Sequence, residues 1–115
     1  MRRGDIVWVE LDPARGSEAS RRRPAVIVSN DGANQTAARL RRGVVTVVPV
    51  TTDVSRVYAF QAPLPAKRCD LPEDSKAQAE QIRSVAFDRI GTTIGQLPGD
   101  ILADLDRAIR LHLAL

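Results

Sequence analysis

Val44-Val45-Thr46-Val47-Val48-Pro49-Val50-Thr51-Thr52 is the stretch on which the fold turns. Five β-branched residues precede a proline and three follow it, a composition that fits a pleated, buried strand and little else. Proline has no amide hydrogen to donate to a sheet ladder, so Pro49 predicts an edge position or a bulge. On either side, similar patterns recur. Ile6-Val7-Trp8-Val9-Glu10-Leu11 reads as a first strand, stopped by Asp12-Pro13. Residues 12–22 form a loop too long for a tight hairpin. Ala25 to Ser29 reads as a second strand, Asn30-Asp31-Gly32 as a turn, and residues 33–41 as a short helical turn ended by Gly43. Downstream, Val57 to Phe60 is a weaker strand and the run from Pro63 to Pro72 is loop. Ser75 to Val85 reads as one continuous strand. Its alternation places Lys76, Gln78 and Glu80 on one face and Ala77, Ala79, Gln81 and Arg83 on the other.

Pro98-Gly99-Asp100 opens a C-terminal helix, with Asp100 at its positive end. Ile101, Leu102, Leu105, Ala108, Ile109, His112 and Leu113 form one apolar stripe at helical spacing. His112, the only histidine, falls inside that stripe and reads as a core or interface residue. Strands joined by short connections before a lone helix predict a mainly β fold: a curled antiparallel sheet or small barrel closed by one helix, in a single domain over residues 1–115.

Composition narrows the function. The chain holds 17 basic and 14 acidic residues; residues 1–68 carry 12 against 6, and residues 69–115 carry 5 against 8. The N-terminal part therefore favours an anionic partner. Cys69 is alone, which excludes an internal disulfide and a cysteine metal cluster and fits a reducing compartment. No run approaches the roughly 18 apolar residues of a membrane span, and the N-terminus has no signal-peptide core, so a cytoplasmic protein is expected. Metal-ligand spacings, phosphate-binding glycine loops and nucleophile elbows are missing from the sequence, so no cofactor or metal is expected.

What remains is a set of arginines, hydroxyls and amides near strand ends, led by Arg21-Arg22-Arg23-Pro24. Guanidinium stays charged and matches phosphate oxygens with a planar donor fork. Pro24 fixes its own φ and biases Arg23 towards an extended backbone. One reaction needs no more than such groups. When a 2′-OH of RNA attacks its neighbouring phosphate, the nucleophile is already in the substrate, and the protein has only to align it and stabilise the developing charge.

Taken together, Arg3-Gly4-Asp5-Ile6-Val7, Gly16-Ser17-Glu18, Arg23-Pro24-Ala25-Val26-Ile27-Val28, Val50-Thr51, Asp74-Ser75, Glu80-Gln81-Ile82-Arg83 and Leu111-His112-Leu113 resemble the MazF/PemK toxin family in order and spacing over essentially the whole chain. The resemblance implies an SH3-like curled barrel with a C-terminal helix and a homodimer. It implies sequence-specific, metal-independent cleavage of single-stranded RNA to 2′,3′-cyclic phosphate and 5′-OH ends, arrest of translation and growth, and a cognate MazE-type antitoxin. It places the catalytic roles on Arg23 and Thr51, with Thr52 as a one-residue alternative. RNA contacts fall on Arg15, Ser17, Glu18, Arg21, Arg22, Ser75, Gln78, Glu80 and Gln81; Gln78 and Lys76 stand where base choice is made. The competing class is a CcdB-like gyrase poison, which shares the fold but engages its target through an aromatic C-terminal end. This chain ends Leu111-His112-Leu113-Ala114-Leu115.

Overall fold

The computed structural model describes residues 1–12 and 21–115. Three long strands carry the architecture: β1 (Asp5–Asp12), β2 (Arg21–Ile27) and β3 (Val44–Thr51). They pair antiparallel, with Val7 opposite Ala25 and Ala25 opposite Pro49. Their apolar runs are nearly continuous because both faces are covered. Ile6, Val26 and Val48 pack on one side with Leu64 and Leu105, while Val7, Val9, Ala25, Ile27, Val45 and Val47 pack on the other with Ala37. Alternation along each strand thus feeds two cores rather than one core and a wet face.

Four further strands complete the sheet: β4 (Gln61–Leu64), β5 (Ser75–Gln78), β6 (Arg83–Ala86) and β7 (Ile90–Gln96). The order is β4-β5-β3-β2-β1-β7, with β6 joined to β3. Helix α1 (Asp31–Leu40) covers one face and α3 (Gly99–Leu113) the other; α2 (Ala66–Cys69) is a single turn. The expected mainly β body with a C-terminal helix is present, as a seven-stranded antiparallel sheet.

Several boundaries differ from the sequence reading, each for a local reason. β2 begins at Arg21 rather than Ala25, so the arginine run lies within the strand, paired to β1 through Val9 opposite Arg23 and Glu10 opposite Arg22. Asn30 is not a turn residue but the cap of α1: its Oδ1 accepts from the Ala33 amide at 2.8 Å. The Pro63–Pro72 segment holds the end of β4 and all of α2, and Pro63 is tolerated because β4 is the edge of the sheet. Val57–Phe60 is not a strand: Val57 and Tyr58 are irregular and Ala59–Phe60 form a turn, closed by the Gln61 amide donating to the Tyr58 carbonyl at 2.9 Å. His112 is exposed, as are Leu111 and Leu113, because the last turn of α3 has no core partner among the described residues.

Arg3-Gly4-Asp5 is scaffolding. The Arg3 guanidinium binds Asp106 of α3 at 2.6 Å and the Val28 carbonyl at 2.9 Å. The Arg3 amide donates to Asp31 at the start of α1, which holds that carboxyl below the usual carboxylate range. One arginine therefore joins the N-terminus to both helices. Gly4 takes a positive φ of 94° and lies against Leu102, where a side chain would be strained.

Gly95 of β7 is required by close packing. A Cβ there would overlap the Cys69 carbonyl oxygen, so α2 can sit against the sheet only if position 95 has no side chain. Gly95→Ala is expected to destabilise the chain by about 2 kcal/mol. Gly99→Ala, at an open helical position with nothing within 4 Å, should be neutral or slightly stabilising. Urea unfolding of both variants checks this.

Candidate active site

Two prolines open the site. Pro49 lies opposite Ala25, yet it cannot exchange amide hydrogen bonds with it. The pair must therefore be of the non-hydrogen-bonded kind, and the ring nitrogen of Pro49 faces the other edge of β3. On that edge β3 pairs with β6 from Val44 to Val47 and with β5 at Val50 and Thr51. Pro49 occupies the break between the two partners. Opposite the break the chain leaves β5, makes a 3-10 turn over Ala79–Gln81 and returns as β6. The expected continuous strand from Ser75 to Val85 is thus two strands, divided where no donor is available.

The break leaves a hollow of about 300 Å³ lined by Leu11, Arg23, Pro49, Val50, Gln78, Gln81 and Arg83. Arg23 is on the face of β2 shared with Ala25 and Ile27, and so points to the side of the sheet on which the hollow opens. Two cations and two amides on a partly apolar floor form a surface for a polyanion bearing hydrogen-bonding groups. The guanidiniums supply fixed charge and paired donors, and the glutamines supply one donor and one acceptor function each.

Not every expected residue is here. Gln78 and Gln81 line the hollow together although alternation had put them on opposite faces; the 3-10 turn between them resets the phase. Thr51 closes β3 on the same face as Pro49, but its Oγ1 accepts from the Asp53 amide at 3.2 Å and does not line the hollow. Thr52 is an exposed bend residue beyond the strand. Arg22 points to the opposite side of the sheet from Arg23, against Gly91 of β7. Ser75 is buried and donates to the Glu73 carbonyl at 3.0 Å. Glu80 turns from the hollow to Gln61. Lys76 is buried, with Nζ on the Arg56 carbonyl at 2.6 Å. Arg15, Ser17 and Glu18 lie outside the described residues, as does the side chain of Arg21. Arg83 was missed as a site residue; its place beside Gln81 in the alternation was the signal that could have found it.

A scan of family models matches residues 2–113 to the PemK-like, MazF-like toxins of type II toxin-antitoxin systems. The chain belongs to this family. It is 59% identical to endoribonuclease MazF9 of Mycobacterium tuberculosis, over 100% of this chain and 98% of that protein. It is 36% identical to the endoribonuclease toxin MazF of Escherichia coli K12, over 78% of this chain and 72% of that one. Among solved structures, a MazE-MazF complex from Deinococcus radiodurans superposes with a TM-score of 0.79 at 26% identity, covering 100% of this chain and 96% of that chain.

Cys69 takes no part in the site of this MazF-like chain. It is fully buried, and burial pushes its thiol above the ordinary range despite the neighbouring Arg68. A raised pKa leaves little thiolate, and burial blocks access. Iodoacetamide at pH 8 should therefore leave the folded protein unmodified and alkylate it only in denaturant, as intact mass would show.

Proposed function

We propose that this chain is a sequence-specific endoribonuclease toxin that cleaves single-stranded mRNA without a metal, so inhibiting translation and growth. The reading rests on the hollow in which Arg23 and Arg83 meet the amides of Gln78 and Gln81. The family match and the relatives named endoribonucleases favour it over a gyrase poison.

In this scheme the substrate supplies the nucleophile. Its 2′-OH attacks the adjacent phosphorus, the 2′ proton leaves to water, and the bond from phosphorus to the 5′-oxygen breaks. The products are a 2′,3′-cyclic phosphate and a 5′-OH. Arg23 donates to the non-bridging oxygens as charge builds and to the departing 5′-oxygen, which takes its proton from solvent. Because guanidinium is a poor base, its contribution is electrostatic. Thr51 moves from Asp53 to the phosphate when RNA enters and aligns the attack. Gln78 and Gln81 read base edges, while Arg21 and Arg22 attract the strand from outside the hollow. Arg15, Ser17 and Glu18 complete the RNA contacts.

The partners follow from the same reading. A second copy of the chain packs on the exposed Leu111 and Leu113 of α3, and a MazE-type antitoxin covers the RNA surface, as the MazE-MazF complex of Deinococcus radiodurans suggests by likeness. Both act in the cytoplasm, where mRNA is available.

Incubation with a long single-stranded RNA in EDTA should give discrete fragments with 5′-OH ends. Arg23→Ala should slow cleavage at least about a hundredfold while RNA affinity falls only severalfold. Thr51→Ala should follow it, and Thr52→Ala should cut as wild type. Full-rate cutting by Arg23→Ala, or a strict need for magnesium, would overturn the assignment. Arg22→Ala should leave the cleavage step unchanged and flatten the salt dependence of binding by less than the slope of about 0.7 expected for one full phosphate contact.

A further inference from the structure

Glu80 sits next to the hollow yet is turned away from it. Its Oε2 accepts from Gln61 Nε2 at 2.6 Å, and its Oε1 is buried with no hydrogen-bond partner among the described residues. Buried carboxylates normally satisfy both oxygens, because an orphan acceptor out of water is costly. Stability alone therefore does not account for this residue. Its geometric consequence does.

Gln61 is almost fully buried and is held on all sides. Its backbone pairs with Gln78 across β4 and β5, its Oε1 accepts from the Tyr58 amide at 3.0 Å, and its carbonyl accepts from Arg107 of α3 at 3.4 Å. Arg107 also donates to the Ala59 carbonyl at 2.7 Å and is itself held by Asp104 at 2.8 Å. Gln61 thus touches the 3-10 turn at two points: the backbone at Gln78, where the turn begins, and the side chain of Glu80 in its middle. A carboxylate only accepts, so Glu80 forces the Gln61 amide to present its NH2 to the turn and its oxygen to Tyr58. The bond is charge-assisted and buried, which makes it stiff.

We propose that Glu80 is a positioning residue for base recognition: by gripping Gln61 it holds the turn at Ala79–Gln81, so that Gln78 and Gln81 meet RNA bases in one fixed arrangement. The inference rests on the hollow being the RNA site. It moves Glu80 from an RNA contact to the support behind two contacts, and it brings Gln61 and Arg107 into the function although neither reaches the hollow.

The test measures selectivity, as the ratio of kcat/KM for the preferred cleavage site to that for a site with one base changed. Glu80→Ala and Gln61→Ala should each lower this ratio by about tenfold, and the double variant should be no worse than either single. The loss should appear in KM, with kcat at the preferred site within about threefold of wild type. Glu80→Gln, which still offers an oxygen to Gln61, should retain the selectivity. Additive losses, or a switch to a different preferred base in Glu80→Ala, would show that Glu80 touches RNA and overturn the proposal. So would an unchanged ratio in Glu80→Ala accompanied only by a lower Tm. If the wild-type protein does not cut RNA, the endoribonuclease reading fails by itself. The support is then tested without RNA by nuclear magnetic resonance. Side-chain amide signals of Gln78 and Gln81 should shift in Glu80→Ala and Gln61→Ala but not in Glu80→Gln; signals unmoved in all three would overturn it.

Discussion

The missing amide hydrogen of Pro49, in the buried stretch of a strand paired on both edges, is the constraint from which the working end of this molecule follows. A central strand needs ladder partners on both edges, since an unpaired backbone group away from water is costly. Proline removes that need at one point on one edge. β3 uses this freedom to change partner there, from β6 to β5, and the chain between them can leave the sheet without stranding a donor. Everything that lines the hollow stands around this gap.

Pro24 repeats the device on the neighbouring strand. The ladder between β2 and β3 runs from Ile27 to Ala25 and ends at the two prolines. Arg23 follows immediately, fixed in strand geometry by its pairing with Val9 yet beyond the last pair with β3. A rigid backbone thus carries a charged side chain at the edge of an opening, an arrangement that preorganises a cation without burying it. Arg83 enters from the other side of the same gap, at the first residue of β6.

Strand positions were legible wherever burial on both faces produced a long β-branched run, as in β1 and β3. β7 was missed because Gly91-Thr92-Thr93-Ile94-Gly95-Gln96 lacks such a run; it is a strand by pairing with β1, with glycines admitting Trp8 and the Cys69 carbonyl. β4 was hidden by Pro63, which an edge strand accepts. The geometry of the hollow was partly legible: Arg23, Gln78 and Gln81 line it together, whereas Ser75 is hydrogen-bonded to the Glu73 carbonyl and Glu80 to Gln61. A period of two extended through residues 79–81 cannot anticipate a turn that resets the phase.

By itself the sequence determined the class of fold, the cationic residue beside a proline, and the family, because these depend on local composition and on motif order. Only the tertiary structure decided which polar residues face one another. That decision rests on register across the break at Pro49, a relation between β3, β5 and β6 that no single segment encodes. It also separated Arg22 from Arg23, adjacent in the chain but on opposite faces of the sheet, since successive side chains of a strand point opposite ways and each face of this sheet has its own core.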